Sequence, residues 1–144
     1  MDRRIAIVAS RFNEEIVTGL LVGAKRALME SGLDWDQVPI FKVPGAFEIP
    51  LVAKKAAQTG RYDALIAIGC LIRGETAHFE YISNQASLGI GLVALETGIP
   101  ITFGVITVNN DEQAIARSGD NPENKGYEAA KAALEMIQLL RQIE

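Results

Sequence analysis

Apolar residues follow two rhythms along this chain. Four short runs, Ile5 to Ala9, Val38 to Val43, Ala64 to Leu71 and Ile101 to Val108, are apolar almost throughout. Their length and β-branched content predict strands buried on both faces. Between them apolar positions recur every three or four residues, the period of one helix face. Ile16, Val17, Leu20, Leu21, Ala24 and Leu28 form the first such set, closed by Ser31-Gly32. Asn13 stands where an N-cap is expected, and Glu14 and Glu15 suit the positive end of the helix dipole. Pro50 fits the first turn of a second helix that runs through Leu51 to Thr59 and stops at Gly60. The pattern predicts a third helix over His78 to Thr97, ended by Gly98 and Pro100, and a short one over Asp111 to Ser118. A last helix, Asn124 to Gln142, carries Tyr127, Ala130, Leu134 and Ile137 on one face.

Strand and helix alternate from end to end. That order predicts an α/β fold: one domain over residues 1–144, a four-stranded parallel sheet with helices on both faces. The expected architecture is a three-layer sandwich with the flavodoxin-like strand order 2-1-3-4. In such a sheet each strand-to-helix loop emerges at the carboxyl edge, where ligands bind. Those loops are Ser10-Arg11-Phe12-Asn13, Pro44-Gly45-Ala46-Phe47-Glu48, the stretch from Gly69 to His78, and Thr107 to Asp111. They are expected to converge on one rim.

The third loop is the richest in chemistry. It leaves an apolar strand, turns at Gly74 and enters a helix at the chain's only histidine, His78. Gly74 permits a tight turn, and the amides of Glu75 and Thr76 are placed to face an oxyanion. A histidine beside an anion is suited to exchanging a proton. An ordinary loop with Thr76 or Ala77 near the cap explains the same residues, as does a carboxylate partner for His78. Phe12 reads either as a packed hydrophobic staple or as a stacking platform for a flat heterocycle. Glu48 reads either as a helix-start acid or as an acceptor for ligand hydroxyls. Arg117 and Lys125 flank a polar loop, and by themselves read as solvated charges. Cys70 reads as a small buried residue rather than a nucleophile.

Composition narrows the function classes. About half the 144 residues are apolar, and the formal charge is −4, against a bulk electrostatic grip on nucleic acid or acidic membranes. No run is long and apolar enough to span a bilayer, and the amino terminus lacks a signal-peptide pattern. A single cysteine allows no internal disulfide and points to a cytoplasmic setting. No metal-ligand cluster is apparent. The third helix, from Leu88 to Leu95, is apolar nearly all round, which favours a subunit interface over burial within one chain. The acids of a receiver domain are missing after the first and third strands, and so is the G-x-G-x-x-G of a dinucleotide fold.

Five motifs stand in order: Ala9-Ser10-Arg11-Phe12-Asn13; Val43-Pro44-Gly45-Ala46-Phe47-Glu48-Ile49-Pro50; Gly69 to Tyr81; Ile101 to Thr107; and Asn124-Lys125-Gly126-Tyr127-Glu128. Together they make the whole chain resemble the 6,7-dimethyl-8-ribityllumazine synthase family of riboflavin biosynthesis. The resemblance implies a transferase that condenses 5-amino-6-(D-ribitylamino)uracil with 3,4-dihydroxy-2-butanone 4-phosphate, releasing phosphate and water without metal or organic cofactor. It implies that Phe12 stacks on the pyrimidine, that Ala46, Phe47 and Glu48 hold the ribityl chain, and that Cys70, Leu71 and Ile72 line the heterocycle. Gly74, Glu75 and Thr76 form the phosphate turn, with Arg117 as its cation and Lys125 close by. His78 transfers the proton, and Phe103 reaches in from a neighbouring subunit.

The family's basic assembly is a ring of five, and some members build shells of twelve rings. Two features favour a ring here. Little sequence precedes the first strand, and Gly119-Asp120-Asn121-Pro122-Glu123-Asn124 departs from the Gly-Thr-Lys-x-Gly-Asn loop common in shell formers. Two other functions fit the resemblance less well: an archaeal-type riboflavin synthase, and a non-catalytic lumazine- or flavin-binding scaffold. Phe12, Glu48, His78 and Arg117 together argue for the synthase.

Overall fold

The computed structural model describes residues 2–144, so Met1 lies outside the described residues. The four apolar runs pair into one parallel sheet: β1 (Ile5–Ser10), β2 (Ile40–Val43), β3 (Ala64–Ile72) and β4 (Ile101–Val108). Their order is β2-β1-β3-β4, as the alternating pattern predicts. Register can be followed on one line across the sheet, from Ile40 to Ile7 to Ile66 to Thr102.

Strand alternation sorts the side chains into two cores. Ile5, Ile7, Ala9, Ile66, Ile68 and Cys70 pack on one face with α1 (Glu14–Glu30), α4 (Asp111–Ser118) and α5 (Lys125–Ile143). Ala6, Val8, Leu65, Ala67 and Val105 pack on the other with α2 (Ile49–Gln58) and α3 (His78–Thr97). The central strands β1 and β3 are covered on both sides, which explains their unbroken apolar runs. Burial of these aliphatic side chains, at roughly 1.5–3 kcal/mol each, is the main force holding the layers together.

Several element ends fall within one or two residues of the sequence expectation, and two of the starts have a clear cause. β2 begins at Ile40, because Trp35–Gln37 forms a 3-10 turn and the Val38 amide closes it by donating to the Trp35 carbonyl. Pro39 follows with no N–H to donate, so the ladder opens one residue later. Its carbonyl still accepts from the Ile7 amide at 2.9 Å. The second helix starts at Ile49, one residue before Pro50, after a 3-10 turn over Ala46–Glu48, and Pro50 stands in its first turn as expected.

α3 is not hidden inside the chain. Ala86, Ile90 and Val93 face the sheet, while Tyr81, Leu88, Leu92 and Leu95 form an outward stripe, with Leu95 85% exposed. Phe103, on the α3 side of edge strand β4, is half exposed as well.

Candidate functional site

β1 leads to β2 on one side of the sheet and β3 lies on the other, so the direction of winding reverses at the carboxyl ends of β1 and β3. Such a switch point opens a crevice that adjoining helices cannot fill. Here the crevice is a cleft of about 710 Å³. Its walls are Phe12 and Asn13 after β1, Gly45 to Glu48 after β2, Cys70 to Ile72 at the end of β3, and Gly74, Thr76 and His78 at the entry to α3. Phe79, Tyr81, Ile82 and Gln85 continue the wall along α3.

Three of the four loops therefore meet. The loop after β4 lies at the same edge but does not line the cleft. It supports the cleft from behind: the Asn109 side-chain oxygen accepts from Arg73 Nε at 3.1 Å.

Phe12 is 67% exposed, so it is not the packed staple that one reading allowed. Its ring is an open apolar face at the cleft mouth. Glu48 Oε1 accepts from the Gly45 amide at 2.9 Å. This fixes the carboxylate against its own loop and leaves its second oxygen free for a ligand donor. Phe47 is half exposed beside it, while Ala46 is buried and contributes to the floor.

Cys70 is 1% exposed, and its side chain packs in the α1–α5 core rather than the cleft. Burial, with the Asp111 charge as a smaller influence, pushes the thiol up to about 11. A thiol held neutral and buried is a poor nucleophile. The residue's contribution to the cleft wall is its backbone at the strand end.

The turn before α3 presents bare amides. Among the described residues, those of Glu75 and Thr76 donate to no protein acceptor, whereas the His78 amide reaches Thr76 Oγ1 at 3.4 Å. Gly74 has an unexpected role. Its φ is not in the left-handed region, and a β-carbon there would meet open space. The tight turn does not demand glycine, whose effect is to leave the backbone uncovered beside the cleft. Arg73, which precedes Gly74 in the chain, is already engaged: it pairs with Glu80, bonds Asn109 and lies over the Phe79 ring. Its charge ties three segments together and does not line the cleft. His78, at the first position of α3, is exposed and faces the cleft.

Four of the expected site residues are not cleft-lining in this chain: Glu75, Phe103, Arg117 and Lys125. Glu75 belongs to the turn and is exposed. Phe103 stands on edge strand β4. Arg117 is near the end of α4, where its guanidinium donates to the Gln113 carbonyl at 3.1 Å, and Lys125 begins α5 paired with Glu128.

Asn13 was legible only in part. It does stand at the N-cap position of α1, but its side chain makes no cap bond. It has φ 59°, the one positive φ outside glycine among the described residues. Its Nδ2 instead donates across the cleft floor to the Cys70 carbonyl at 2.9 Å. The sequence signal was an asparagine, a residue that tolerates left-handed backbone, directly after Phe12.

Among the described residues there is no cluster of histidine, cysteine, aspartate or glutamate able to hold a metal ion. No helix is long and apolar enough to cross a membrane.

A 6,7-dimethyl-8-ribityllumazine synthase from Chloroherpeton thalassium is 51% identical over 142 residues, covering 99% of this chain and 92% of that protein. A de novo designed Rossmann fold protein gives a TM-score of 0.44 at 12% identity, covering 82% of this chain and 99% of its own, too loose a likeness to bear on function. The family model described as 6,7-dimethyl-8-ribityllumazine synthase matches residues 2–141, and the chain belongs to that family.

Proposed function

We propose that this protein condenses 5-amino-6-(D-ribitylamino)uracil with 3,4-dihydroxy-2-butanone 4-phosphate to 6,7-dimethyl-8-ribityllumazine, in a site completed by a neighbouring subunit. The observation that carries this reading is the composition of the cleft. Among the described residues it gathers an aromatic face, a carboxylate, bare turn amides and a histidine, but no lysine or arginine lines it for a phosphate dianion. Arg117 and Lys125 lie elsewhere in the same chain. A second copy resolves that mismatch.

Phe12 stacks on the pyrimidine, and the backbone from Cys70 to Ile72 borders the ring. Phe47 and the free oxygen of Glu48 hold the ribityl chain over Ala46. The amides of Glu75 and Thr76, beside Gly74, receive the phosphate, with Arg117 and Lys125 of the neighbour completing its charge. Phe103 of the same neighbour closes the heterocycle side.

The chemistry follows from these positions. The primary amine of the pyrimidine attacks the ketone, and loss of water gives an imine. Removal of a carbon-bound proton then drives the carbon–oxygen bond to the phosphate to break, and His78 is placed to take that proton. Turn amides and the arginine stabilise the departing phosphate. Loss of phosphate leaves an enol that tautomerises to a ketone, and the second amine closes the ring on that new carbonyl with loss of another water. Both reactants are intrinsically reactive, so holding them in register supplies much of the rate.

The exposed stripe of α3, with Phe103 alongside, supports a ring of five subunits or a multiple of it. The departure in the Gly119 to Asn124 loop favours the single ring, and the expected setting is the cytoplasm. The test is direct: mix the two substrates with the protein and follow lumazine fluorescence and phosphate release together. Equal amounts of lumazine and phosphate are expected. Binding of the pyrimidine with neither product would overturn the reading in favour of a non-catalytic scaffold.

A further inference from the structure

The segment that carries Arg117 and Lys125 is organised around one buried amide. Asn124 is only 3% exposed, and it stands between the two cations at the N-cap of α5. Its Oδ1 accepts from the Tyr127 amide at 3.0 Å, which caps the helix. Capping uses half the side chain. The other half, Nδ2, donates to two carbonyls on different elements: Gly19 in α1 at 3.1 Å and Gly119 in the loop after α4 at 2.9 Å. Three elements are thus joined through one planar group.

The helices are built to let that group in. A β-carbon on Gly23 would overlap the Asn124 amide, one on Gly126 would overlap the Leu20 carbonyl, and one on Gly19 would overlap the Ser118 carbonyl. The three glycines bring α1 into backbone contact with the end of α4 and the start of α5. Ser118 follows Arg117 in the chain, and Lys125 follows Asn124. The backbone at both cations is therefore set by the knot. An outer tie reinforces it, where Arg26 reaches Asp120 at 2.7 Å and covers the Tyr127 ring.

We infer that Asn124 is a positioning residue for substrate phosphate, holding Arg117 and Lys125 at the separation and direction that a neighbouring cleft requires. This rests on the reading that those two cations serve the phosphate. A helix cap alone explains neither the two donated bonds nor the bare α-carbon of Gly23. Serine caps helices about as well as asparagine and fits the same space. It can accept from Tyr127 but cannot hold both carbonyls.

The experiment compares Asn124→Ser and Asn124→Asp with Arg117→Ala and Lys125→Ala. Each is assayed for the KM of both substrates and for competitive inhibition by inorganic phosphate. Asn124→Ser is expected to raise the KM of the butanone phosphate and the inhibition constant of phosphate by about tenfold, with the pyrimidine KM within about twofold. Asn124→Asp, which keeps the cap but turns a carboxylate on two carbonyls, should do the same or worse. If Asn124→Asp fails to fold, Asn124→Ser decides alone. Cation variants that weaken phosphate while Asn124→Ser leaves both KM values unchanged, or raises them equally, overturn the inference and spare the site. Cation variants with unaltered phosphate inhibition overturn the site reading and the inference together.

Discussion

Replacing Asn13 by alanine and by glycine separates two contributions that the cleft combines. Alanine removes the bond from Nδ2 to the Cys70 carbonyl and leaves at φ 59° a residue without asparagine's tolerance of left-handed backbone. A hydrogen bond of this kind is worth about 0.5–1.5 kcal/mol net. Holding alanine in the left-handed region costs about 1 kcal/mol or more. Asn13→Ala is therefore expected to destabilise the fold by about 2 kcal/mol, which in a domain of this size lowers the melting temperature by roughly 4–8 °C. Glycine loses the same bond but has no objection to the backbone, so Asn13→Gly should be milder by about 1 kcal/mol. Denaturant titrations of the two variants and the parent give the difference. The pyrimidine KM follows in the same samples, since the bond anchors the turn carrying Phe12. Asn13→Gly as destabilised as Asn13→Ala, or Asn13→Ala indistinguishable from the parent, would refute the reasoning.

Other expectations follow from the same geometry. Phe12→Ala should weaken pyrimidine binding by about tenfold or more, since stacking on an aromatic face is worth about 1–3 kcal/mol per base, with stability unchanged because the ring is exposed; equilibrium fluorescence titration measures it. Cys70 should resist alkylation until the protein unfolds, as mass spectrometry after timed iodoacetamide treatment would report. Its folded value is raised, so the stability it contributes is present below the unfolded thiol's value and is lost as pH rises toward about 11, an alkaline slope that Cys70→Ala should reduce. Burial pushes the Asp63 carboxyl up, but hydrogen bonds from Arg4 and the charges of Arg4 and Arg141 outweigh it and hold the group below its usual range. That contribution is present above the unfolded carboxylate value and is lost as pH falls through the folded one, so Asp63→Asn should flatten the acid limb of a stability–pH profile.

Much of this molecule can be read without its structure because its strongest signals are local. Gly98 and Pro100 end α3 where the pattern places its end, and α4 spans Asp111–Ser118 as the pattern predicts. Three of the five motifs lie on the walls of the cleft, since a parallel sheet sends its loops to one edge. Features that depend on tertiary contact were harder. Asn13 satisfies the local rule for a cap and yet bonds a carbonyl 57 residues away, because the β3 strand end offers a partner that no local pattern encodes. Arg73 stands directly before the turn, but Glu80 and Asn109 take its charge. Nothing local in the pattern of α1 explains its glycines, and only the approach of Ser118 to Gly19 and of Asn124 to Gly23 shows why a side chain there would not fit. Arg117 and Lys125 carried no chemistry of their own in the sequence, and their separation from the cleft in one chain is what points to a second copy.

That separation makes the shared site the central claim, and mixed assemblies test it most directly. One variant, Phe12→Ala with His78→Ala, disables the cleft; another, Arg117→Ala, disables the neighbour's contribution. Denatured together in equal amounts and refolded, subunits drawn at random should regenerate about one quarter of the sites with both halves intact, and the mixture should recover about that share of parental activity. Activity no greater than the average of the two variants refolded separately would contradict a site built from two chains.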